Sequence, residues 1–412
     1  MGNDDSASGQ SPVAPLGPLA GYRIIDLTTV LFGPYATQIC ADYGADVIKV
    51  EAPEGDGVRP NGVSKHPDKA SVYLAVNRNK RAIAVDLKTD EGREVLWKLI
   101  ASADVLVHNI RLSAIERLGF SYAEVAKRHP RVVYCAATGF GSNGPHRDKP
   151  AYDDIIQSAC GLASLNSMGR AAPDYVPTVM ADKTAGLMLT HAMLAALLAR
   201  ERTGRGQFVE VPMLECMVSF TLCEHLGGLT FVPPVPGASG AGYARVTAGG
   251  RKPVPTKDGF MTILPYNGTH WTSFLTAAGR ADLADKYSVH DGAVRNTNIT
   301  RLYAEMAQLT PQRTSAEWME ICEREDIPAT RIYSLDELPE HPHLKAVGLF
   351  RTMEHPTEGS IRYVAPPMRF SDTPPSVRSG APSIGQHTDE ILREAGYDDA
   401  GIAALRARRA VI

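Results

Sequence analysis

The stretch that decides the fold is "RIIDLTTVLFGPYATQICADYGADVIKVE", which occupies residues 23–51. Its first part, residues 23–30, is a short apolar run of the kind that forms a buried strand. Pro34 suits the first turn of a helix, and apolar residues recur over residues 36–43. The last part, DVIKVE at residues 46–51, has the composition of a second strand. The stretch therefore predicts a strand, helix and strand in which the two strands are parallel.

The same alternation continues along the chain. Strands are predicted at residues 82–87, 104–110 and 131–137, and the helices between them begin at the capping residues Thr89 and Ser121. Short strands that alternate with helices are typical of a doubly wound, mostly parallel sheet. We therefore expect an α/β fold.

The later part of the chain has a different organisation. Residues 1–20 are polar and contain Pro and Gly, so we expect a disordered tail there. The Pro- and Gly-rich segment VPPVPGASGAG, residues 232–242, marks a passage between domains. Residues from about 245 to 345 are predicted to form an α+β region, because a strand near residue 261 is followed by amphipathic helices.

Composition excludes several classes of function. The chain of 412 residues has 43 Lys and Arg against 46 Asp and Glu, a net charge of −3, so it has no electrostatic preference for nucleic acid or membranes. The six cysteines are scattered without metal-site spacing, which predicts no metal and indicates a reducing compartment. We expect a cytoplasmic protein. The apolar residues 187–198 are too few to span a bilayer.

One glycine motif suggests a dinucleotide site. Residues 139–144, GFGSNG, match G-x-G-x-x-G and follow a predicted strand. The next six residues, PHRDKP, do not begin a helix, so the helix N-terminus that would hold a pyrophosphate is missing. We therefore interpret these glycines as a loop at the carboxyl end of a strand. The hypothesis of an NAD-dependent oxidoreductase has no other support in the sequence.

A short basic run and a lone carboxylate are the remaining candidates for chemistry. The run NRNKR, residues 77–81, could hold phosphates or lie on a solvated surface. Asp182 stands directly before a long apolar run, where it could cap the helix as its N-cap residue. It could also be a covalent nucleophile, held ionised by the helix dipole. The two interpretations of Asp182 are compatible.

The chain as a whole resembles the family III CoA-transferases, also called the CaiB/BaiF family. This group includes formyl-CoA and carnitine CoA-transferases and the α-methylacyl-CoA racemases. The resemblance covers nearly all of residues 21–412. It is carried by "GPYATQICADYGADVIKVEAPEGD", "NRNKRAIAVDLKTDEGR", "ADVLVHN", "ERLGF", "GFGSNGP", "AYDDIIQ", "ADKTAG", "RTGRGQFVEVPMLE", "PPMRFSDTPP" and "SIGQHTDEIL".

The resemblance implies an interlocked homodimer and a particular domain arrangement. A large Rossmann-like, CoA-binding domain would comprise residues 21–230 and 346–412. A smaller α+β domain, residues 231–345, would be inserted into it.

The resemblance also implies a mechanism without a permanently bound cofactor or metal. Asp182 in "ADKTAG" aligns with the family's nucleophile, which attacks a donor acyl-CoA to give a mixed anhydride. CoA then forms an aspartyl-CoA thioester, and the acceptor carboxylate takes up the CoA. Gly249 and Gly250 are our candidates for the oxyanion donors. The residues implied to bind CoA are Val30, Leu31, Phe32, Arg78, Lys80, Arg81, Asn109, Ile110 and Arg117.

Two alternatives within the family remain open. The racemases use a histidine followed by an aspartate, with a second aspartate 29 residues later. Here Asp153 precedes Asp182 by 29 residues, but Tyr152 stands where the histidine would be. Because a tyrosine titrates near about 10 and a histidine near about 6.5, Tyr152 is a poor base at neutral pH. A CoA-binding protein without turnover is the other alternative, and the presence of Asp182 argues against it.

The acyl groups are not named by the sequence. Formyl-CoA transferase has a glutamine at the position of Leu31, so the apolar residue here indicates a different acid-binding pocket. A longer or branched acid, or a dicarboxylate such as succinate, is compatible with it.

Overall fold

A computed structural model describes residues 17–167, 172–237, 240–247 and 251–412. These residues divide into two compact units. The first contains the described residues up to Cys160, with Tyr175–Phe220 and Lys345–Ile412. The second contains the described parts of Gly161–Asp174 and Thr221–Leu344. It overlaps the predicted small domain, whose bounds stay a prediction.

The first unit is built on a parallel sheet of six strands in the order β3-β2-β1-β4-β5-β6. This confirms the predicted α/β fold, and the order is that of a Rossmann-type doubly wound sheet. The strands are β1 (Arg23–Leu27), β2 (Asp46–Glu51), β3 (Lys80–Ala84), β4 (Val105–His108), β5 (Val133–Thr138) and β6 (Phe208–Pro212).

In the described residues, eight helices lie between these strands in the chain, and a ninth follows the last strand. They are α1 (Phe32–Asp42), α2 (Ser71–Asn77), α3 (Asp90–Ala101), α4 (Leu112–Arg117), α5 (Tyr122–Arg128), α6 (Asp153–Ala159), α7 (Leu162–Asn166), α8 (Met180–Thr203) and α9 (Met213–His225). Thr89 and Ser121 cap α3 and α5 as predicted, since their side chains accept the N–H groups of Gly92 and Glu124.

The second unit contains a small antiparallel sheet in the order β7-β8-β9. Its strands are β7 (Val254–Thr256), β8 (Gly259–Ile263) and β9 (Ala329–Arg331), and its later helices are α10 (Ala244–Thr247), α11 (Gly268–Ala277), α12 (Asp282–Lys286), α13 (Gly292–Thr297), α14 (Ile299–Leu309) and α15 (Ser315–Arg324). Trp271, Phe274 and Trp318 are fully buried and form the centre of its core.

The C-terminal segment folds back onto the first unit. It contains α16 (Pro342–Ala346), the hairpin β10 (Phe350–His355) and β11 (Gly359–Val364), and the helices α17 (Thr388–Glu394) and α18 (Asp399–Ala407). Ile391 and Leu405 are buried in the same core as the strands of the large sheet. The two ends of the chain therefore share one hydrophobic core.

The sheet places the start of α8 where ligands bind in this architecture. Helix α8 connects β5 to β6, so it begins at the carboxyl edge of the sheet and ends at the amino edge. Arg200, near its end, donates to the carboxylate of Asp104 just before β4, at 2.8 Å. In open α/β sheets, ligands bind at the carboxyl edge, where the strand order reverses. Here that point lies between β1 and β4.

Candidate active site

Two loops meet at the reversal point between β1 and β4. The side chain of Asn109 spans them: its Oδ1 accepts the N–H of Thr29 at 3.0 Å, and its Nδ2 donates to the carbonyl of Thr29 at 2.9 Å. Leu31 is partly exposed on the first loop, and Ile110 is partly buried against the core. The structure thus brings together Asn109, Ile110 and the predicted residues around Val30.

Val30 is held in an unfavourable backbone conformation. Its φ is 69°, in the left-handed region that β-branched residues rarely adopt, and its side chain is 44% exposed. The N–H of Val30 donates to Oδ1 of Asp56 at 3.0 Å, and Oδ2 of Asp56 pairs with the fully buried Nζ of Lys49 at 2.8 Å. A buried ion pair therefore fixes this strained turn, which is the kind of conformation that accumulates at binding sites.

Asp182 is the third residue of α8, so the prediction that it is the N-cap residue is wrong. The N-cap residue is Val179, whose side chain offers no acceptor. The missing cap comes from another helix, because Oδ1 of Asp153 accepts the backbone N–H of Asp182 at 3.0 Å. Asp153 is the buried first residue of α6, and Tyr152 before it is 71% exposed.

The carboxylate of Asp182 is in an unfavourable environment for a negative charge. Burial, and secondly the negative charge of Asp153, raise the pKa of Asp182 to about 6. Desolvation and the like charge therefore outweigh any lowering of this pKa by the helix N-terminus, although the group is still ionised at neutral pH. Among the residues that the structure describes, no group donates a hydrogen bond to its carboxylate oxygens. Asp182 is a poorly solvated carboxylate, which suits a nucleophile.

Helix α1 lies close to the same face of α8. A Cβ atom at Gly186 would lie 2.9 Å from the carbonyl oxygen of Phe32 and 3.1 Å from the ring of Tyr35. Gly186 is four residues after Asp182, so both residues lie on one face of α8. The absence of a side chain at Gly186 allows the start of α1, with Leu31 and the buried Phe32, to approach the turn that carries Asp182.

The positions of the basic residues 78–81 contradict part of the predicted CoA site. Arg78, Lys80 and Arg81 precede or begin β3, so they lie at the amino end of that strand and not at the carboxyl edge. The ammonium group of Lys80 is fully buried and pairs with Asp26 at 3.1 Å. A ligand phosphate cannot reach a group so enclosed.

The two arginines of this run are also neutralised by nearby carboxylates. Arg81 pairs with Asp46, Glu390 and Glu394, and Arg78 pairs with Asp42 at 2.6 Å. Arg117 differs from them. It is exposed at the end of α4 and has no ion pair among the residues that the structure describes. It is the predicted cation whose charge is available to a ligand.

The glycine loop after β5 is occupied by the protein's own carboxylates. Gly141 donates its N–H to Glu215 at 2.9 Å, and Ser142 donates its N–H to Glu210 at 2.8 Å. No helix begins at Gly144, since the next one starts at residue 153. Two N–H groups of the loop are therefore already used, and the helix that a pyrophosphate site needs is absent there, as the sequence indicated for the helix.

Two clefts border this loop, with volumes of about 650 Å³ and about 420 Å³. Ser142, Asn143, Arg147 and Asp148 line both of them, and Asp182 lines neither. The smaller cleft also has an aromatic wall formed by Tyr122, Tyr134 and Phe208. Sequence reasoning did not identify this wall, and its three residues are far apart in the chain.

Gly249 and Gly250, the predicted oxyanion donors, lie outside the described residues. Within the described ranges, no three His, Cys, Asp or Glu side chains are grouped as metal ligands. None of the helices in those ranges combines the length and apolar character needed to cross a membrane.

The chain is similar to known proteins over almost its whole length. A family model described as CoA-transferase family III matches residues 19–388. A formyl-CoA:oxalate CoA-transferase from Escherichia coli O157:H7 is 32% identical over 96% of this chain and 99% of that protein. An acyl-CoA transferase from Fusarium pseudograminearum is 32% identical over 98% of this chain and 90% of that protein.

A solved structure agrees with these similarities. A CaiB/BaiF family protein from Brucella suis superposes with a TM-score of 0.78 and 29% identity, over 92% of this chain and 99% of that one. The family model, the relatives and the solved structure all point to the same family. The chain belongs to CoA-transferase family III, and it is a CoA-transferase.

Proposed function

We propose that this enzyme transfers CoA from a donor acyl-CoA to an acceptor carboxylic acid through covalent intermediates on Asp182. The observation that carries the proposal is the state of Asp182 itself. It lies at the carboxyl edge of the sheet, has no hydrogen bond to its carboxylate among the described residues, and has a pKa raised to about 6. At neutral pH such a group is ionised and weakly stabilised, and therefore reactive.

The proposed chemistry exchanges one activated acyl group for another. A carboxylate oxygen of Asp182 attacks the donor thioester carbonyl, and CoA thiolate leaves as an acyl-aspartyl anhydride forms. The thiolate then attacks the aspartyl carbonyl, which releases the donor acid and gives an aspartyl-CoA thioester. The acceptor carboxylate attacks that thioester, and the released thiolate attacks the acceptor carbonyl of the new anhydride. Acceptor acyl-CoA leaves and Asp182 is restored without net proton transfer or redox change.

The CoA part of the substrate would lie along the loops at the reversal point of the sheet. Val30, Leu31 and Asn109 offer backbone and side-chain groups there, and Arg117 offers a free positive charge for a phosphate. We retain Gly249 and Gly250 as proposed donors to the tetrahedral oxyanions. Formyl-CoA enters the test as a donor because a relative is named a formyl-CoA:oxalate CoA-transferase.

We also propose that the enzyme is a cytoplasmic homodimer. Buried free thiols at Cys40, Cys135 and Cys322 suit a reducing compartment. Leu187 and Leu198 are exposed on one face of α8, which suits burial against another chain. Light scattering coupled to gel filtration tests the dimer directly.

The decisive experiment traps the intermediate. The enzyme is mixed separately with formyl-, acetyl-, propionyl-, succinyl- and benzoyl-CoA, quenched with hydroxylamine, and digested for mass spectrometry. A hydroxamate on Asp182 in the wild type supports the proposal, and the donor that labels most efficiently defines the substrate class. Asp182→Asn should lose labelling and at least about 10³-fold in kcat. The matched control is Asp154→Asn, which changes an exposed carboxylate on α6 and should keep both.

Other outcomes would contradict the proposal. Full transferase activity in Asp182→Asn excludes the covalent mechanism. If no donor labels Asp182 but solvent deuterium enters the α-carbon of a 2-methylacyl-CoA, the protein is a racemase or epimerase. CoA binding without either reaction would indicate a non-catalytic protein.

A further inference from the structure

Gln157 is almost completely buried, with 1% of its surface exposed, and it lies on α6 one turn after Asp153. Its Nε2 donates to Oδ2 of Asp153 at 2.7 Å. The same nitrogen lies 3.3 Å from the carbonyl oxygens of Val176 and Thr178, and its Oε1 accepts the N–H of Val176 at 2.9 Å. This one amide therefore binds both the carboxylate that caps α8 and the segment that leads into α8.

The first turn of α8 depends on these contacts because it lacks a cap of its own. Val179 has no side-chain acceptor, and the N–H of Asp182 is satisfied by Asp153. The carboxylate of Asp182 accepts no hydrogen bond from the described residues. Its direction is therefore set by the backbone of the turn that carries it.

The environment of Asp153 explains why Gln157 must donate to it. Asp153 is buried and has no cationic partner among the described residues, so its charge is balanced by two donors, the N–H of Asp182 and the amide of Gln157. A buried carboxylate that loses one of two donors moves toward another donor or toward water. Either movement would release the N–H of Asp182.

We propose that Gln157 is a positioning residue for Asp182, acting through Asp153 and through the backbone of Val176 and Thr178. The proposal rests on the proposed function, in which Asp182 is the nucleophile. Its consequence is that Gln157 controls the turnover step and not the binding of acyl-CoA, because its hydrogen bonds go to Asp153 and the segment before α8 and not to Asn109 or Val30. A displacement of a reacting group by about 1 Å can cost about 100-fold in rate.

The test compares Gln157→Met with a matched control, Gln38→Met. Gln38 is also a buried glutamine, on α1, and its amide donates to Asp42 four residues away. The hydrogen bond of its side chain does not involve Asp182, Asp153 or the segment before α8. We expect Gln157→Met to lower kcat, and the rate of hydroxamate formation on Asp182, by about 10–100-fold. KM for the acyl-CoA that best labels the wild type should stay within about threefold, and Gln38→Met should keep kcat within about threefold.

A second pair of variants isolates the contact with Asp153. Gln157→Glu keeps the oxygen that accepts the N–H of Val176 and loses the donor to Asp153. Combined with Asp153→Asn, the new asparagine can accept from Asp182 and donate to the new glutamate. Each kcat is expressed as a fraction of the wild-type kcat. We expect the fraction for the double variant to exceed the product of the fractions for the two single variants by at least about fivefold. This comparison also decides the question if Gln157→Met does not fold.

The outcomes separate this inference from the function on which it rests. Wild-type labelling of Asp182 with unchanged kcat in both Gln157 variants overturns the positioning role alone. So does an effect confined to KM, or strict additivity in the double variant. No labelling of the wild type, together with an active Asp182→Asn enzyme, overturns the proposed function itself.

Discussion

The backbone N–H of Asp182 donates to the carboxylate of Asp153, 3.0 Å away, although the two residues are 29 positions apart in the chain. Two carboxylates thus share the N-terminus of α8. One is buried and used as a helix cap, and the other is left without a hydrogen-bond donor among the described residues. The proximity of Asp153 contributes to the raised pKa of Asp182, so the same contact positions the group and weakens its charge stabilisation.

The pH dependence of labelling follows from this contact. The pKa of Asp182 is raised to about 6, so the ionised nucleophile is present above that pH and is lost as the pH falls through it. We expect the labelling rate at low donor concentration to fall about tenfold per pH unit below the pKa. Asp153→Asn removes the like charge and should move this acid limb to lower pH. Asp154→Asn is the control. If the acid limb of the pH profile lies at the same pH in Asp153→Asn and in Asp154→Asn, the charge of Asp153 does not raise the pKa of Asp182.

Lys80 is expected to affect stability and not CoA affinity directly. Its ammonium group pairs with Asp26 in the core, and neither side chain is exposed. Lys80→Met would leave the carboxylate of Asp26 buried without this cation, at a cost of about 3–5 kcal/mol. Thermal and urea unfolding should show the loss, whereas Lys88→Met, at an exposed position, should not. If Lys80→Met instead binds acyl-CoA more weakly and unfolds like the wild type, the result would support the original prediction that Lys80 binds CoA.

Arg117 is expected to show the opposite behaviour. Its side chain is exposed, and it has no ion pair among the described residues. If it holds a phosphate of CoA, Arg117→Ala should raise KM for acyl-CoA about tenfold, which corresponds to one charged hydrogen bond, while kcat and the melting temperature stay unchanged. Lys127→Ala removes an exposed positive charge from the next helix and is the control. Equal KM values for the two variants would exclude a specific contact at Arg117.

Gly186 is expected to be required for the packing of α1 on α8. Gly186→Ala would place a methyl group 2.9 Å from a backbone carbonyl, that of Phe32, which cannot move as a flexible side chain can. Such overpacking costs about 1–3 kcal/mol and should also lower kcat, because α1 packs on α8 one turn after Asp182. Gly292→Ala is the helical control, since its nearest neighbour is the tip of Arg295 at 3.6 Å. Unchanged unfolding in Gly186→Ala would show that the two helices can separate freely.

Local sequence patterns predicted the sheet because they are themselves local. The second strand occupies Asp46–Glu51 as predicted, since a short, mostly apolar run defines a strand buried on both faces without reference to other residues. The third strand was predicted at residues 82–87 but occupies Lys80–Ala84. Its start was missed because Lys80 is charged, and its burial depends on Asp26, 54 residues earlier.

In the candidate site, too, only the local relationships could be predicted from the sequence. The spacing of Asp153 and Gln157 in "AYDDIIQ" places them on one face of a helix, and this signal was available in the sequence. That Gln157 also binds the segment before α8 was not available, because no local pattern joins residues 157 and 176.

The sequence by itself determined the alternation of strands and helices, and with it the carboxyl edge at which the helix of Asp182 begins. Handedness and connection rules suffice for that step. Only the tertiary structure decided the chemical state of the side chains at that edge and elsewhere. It paired Asp182 with Asp153, enclosed Lys80 and left Arg117 exposed. The physical reason is that pKa and accessibility depend on burial and on charges contributed by distant parts of the chain.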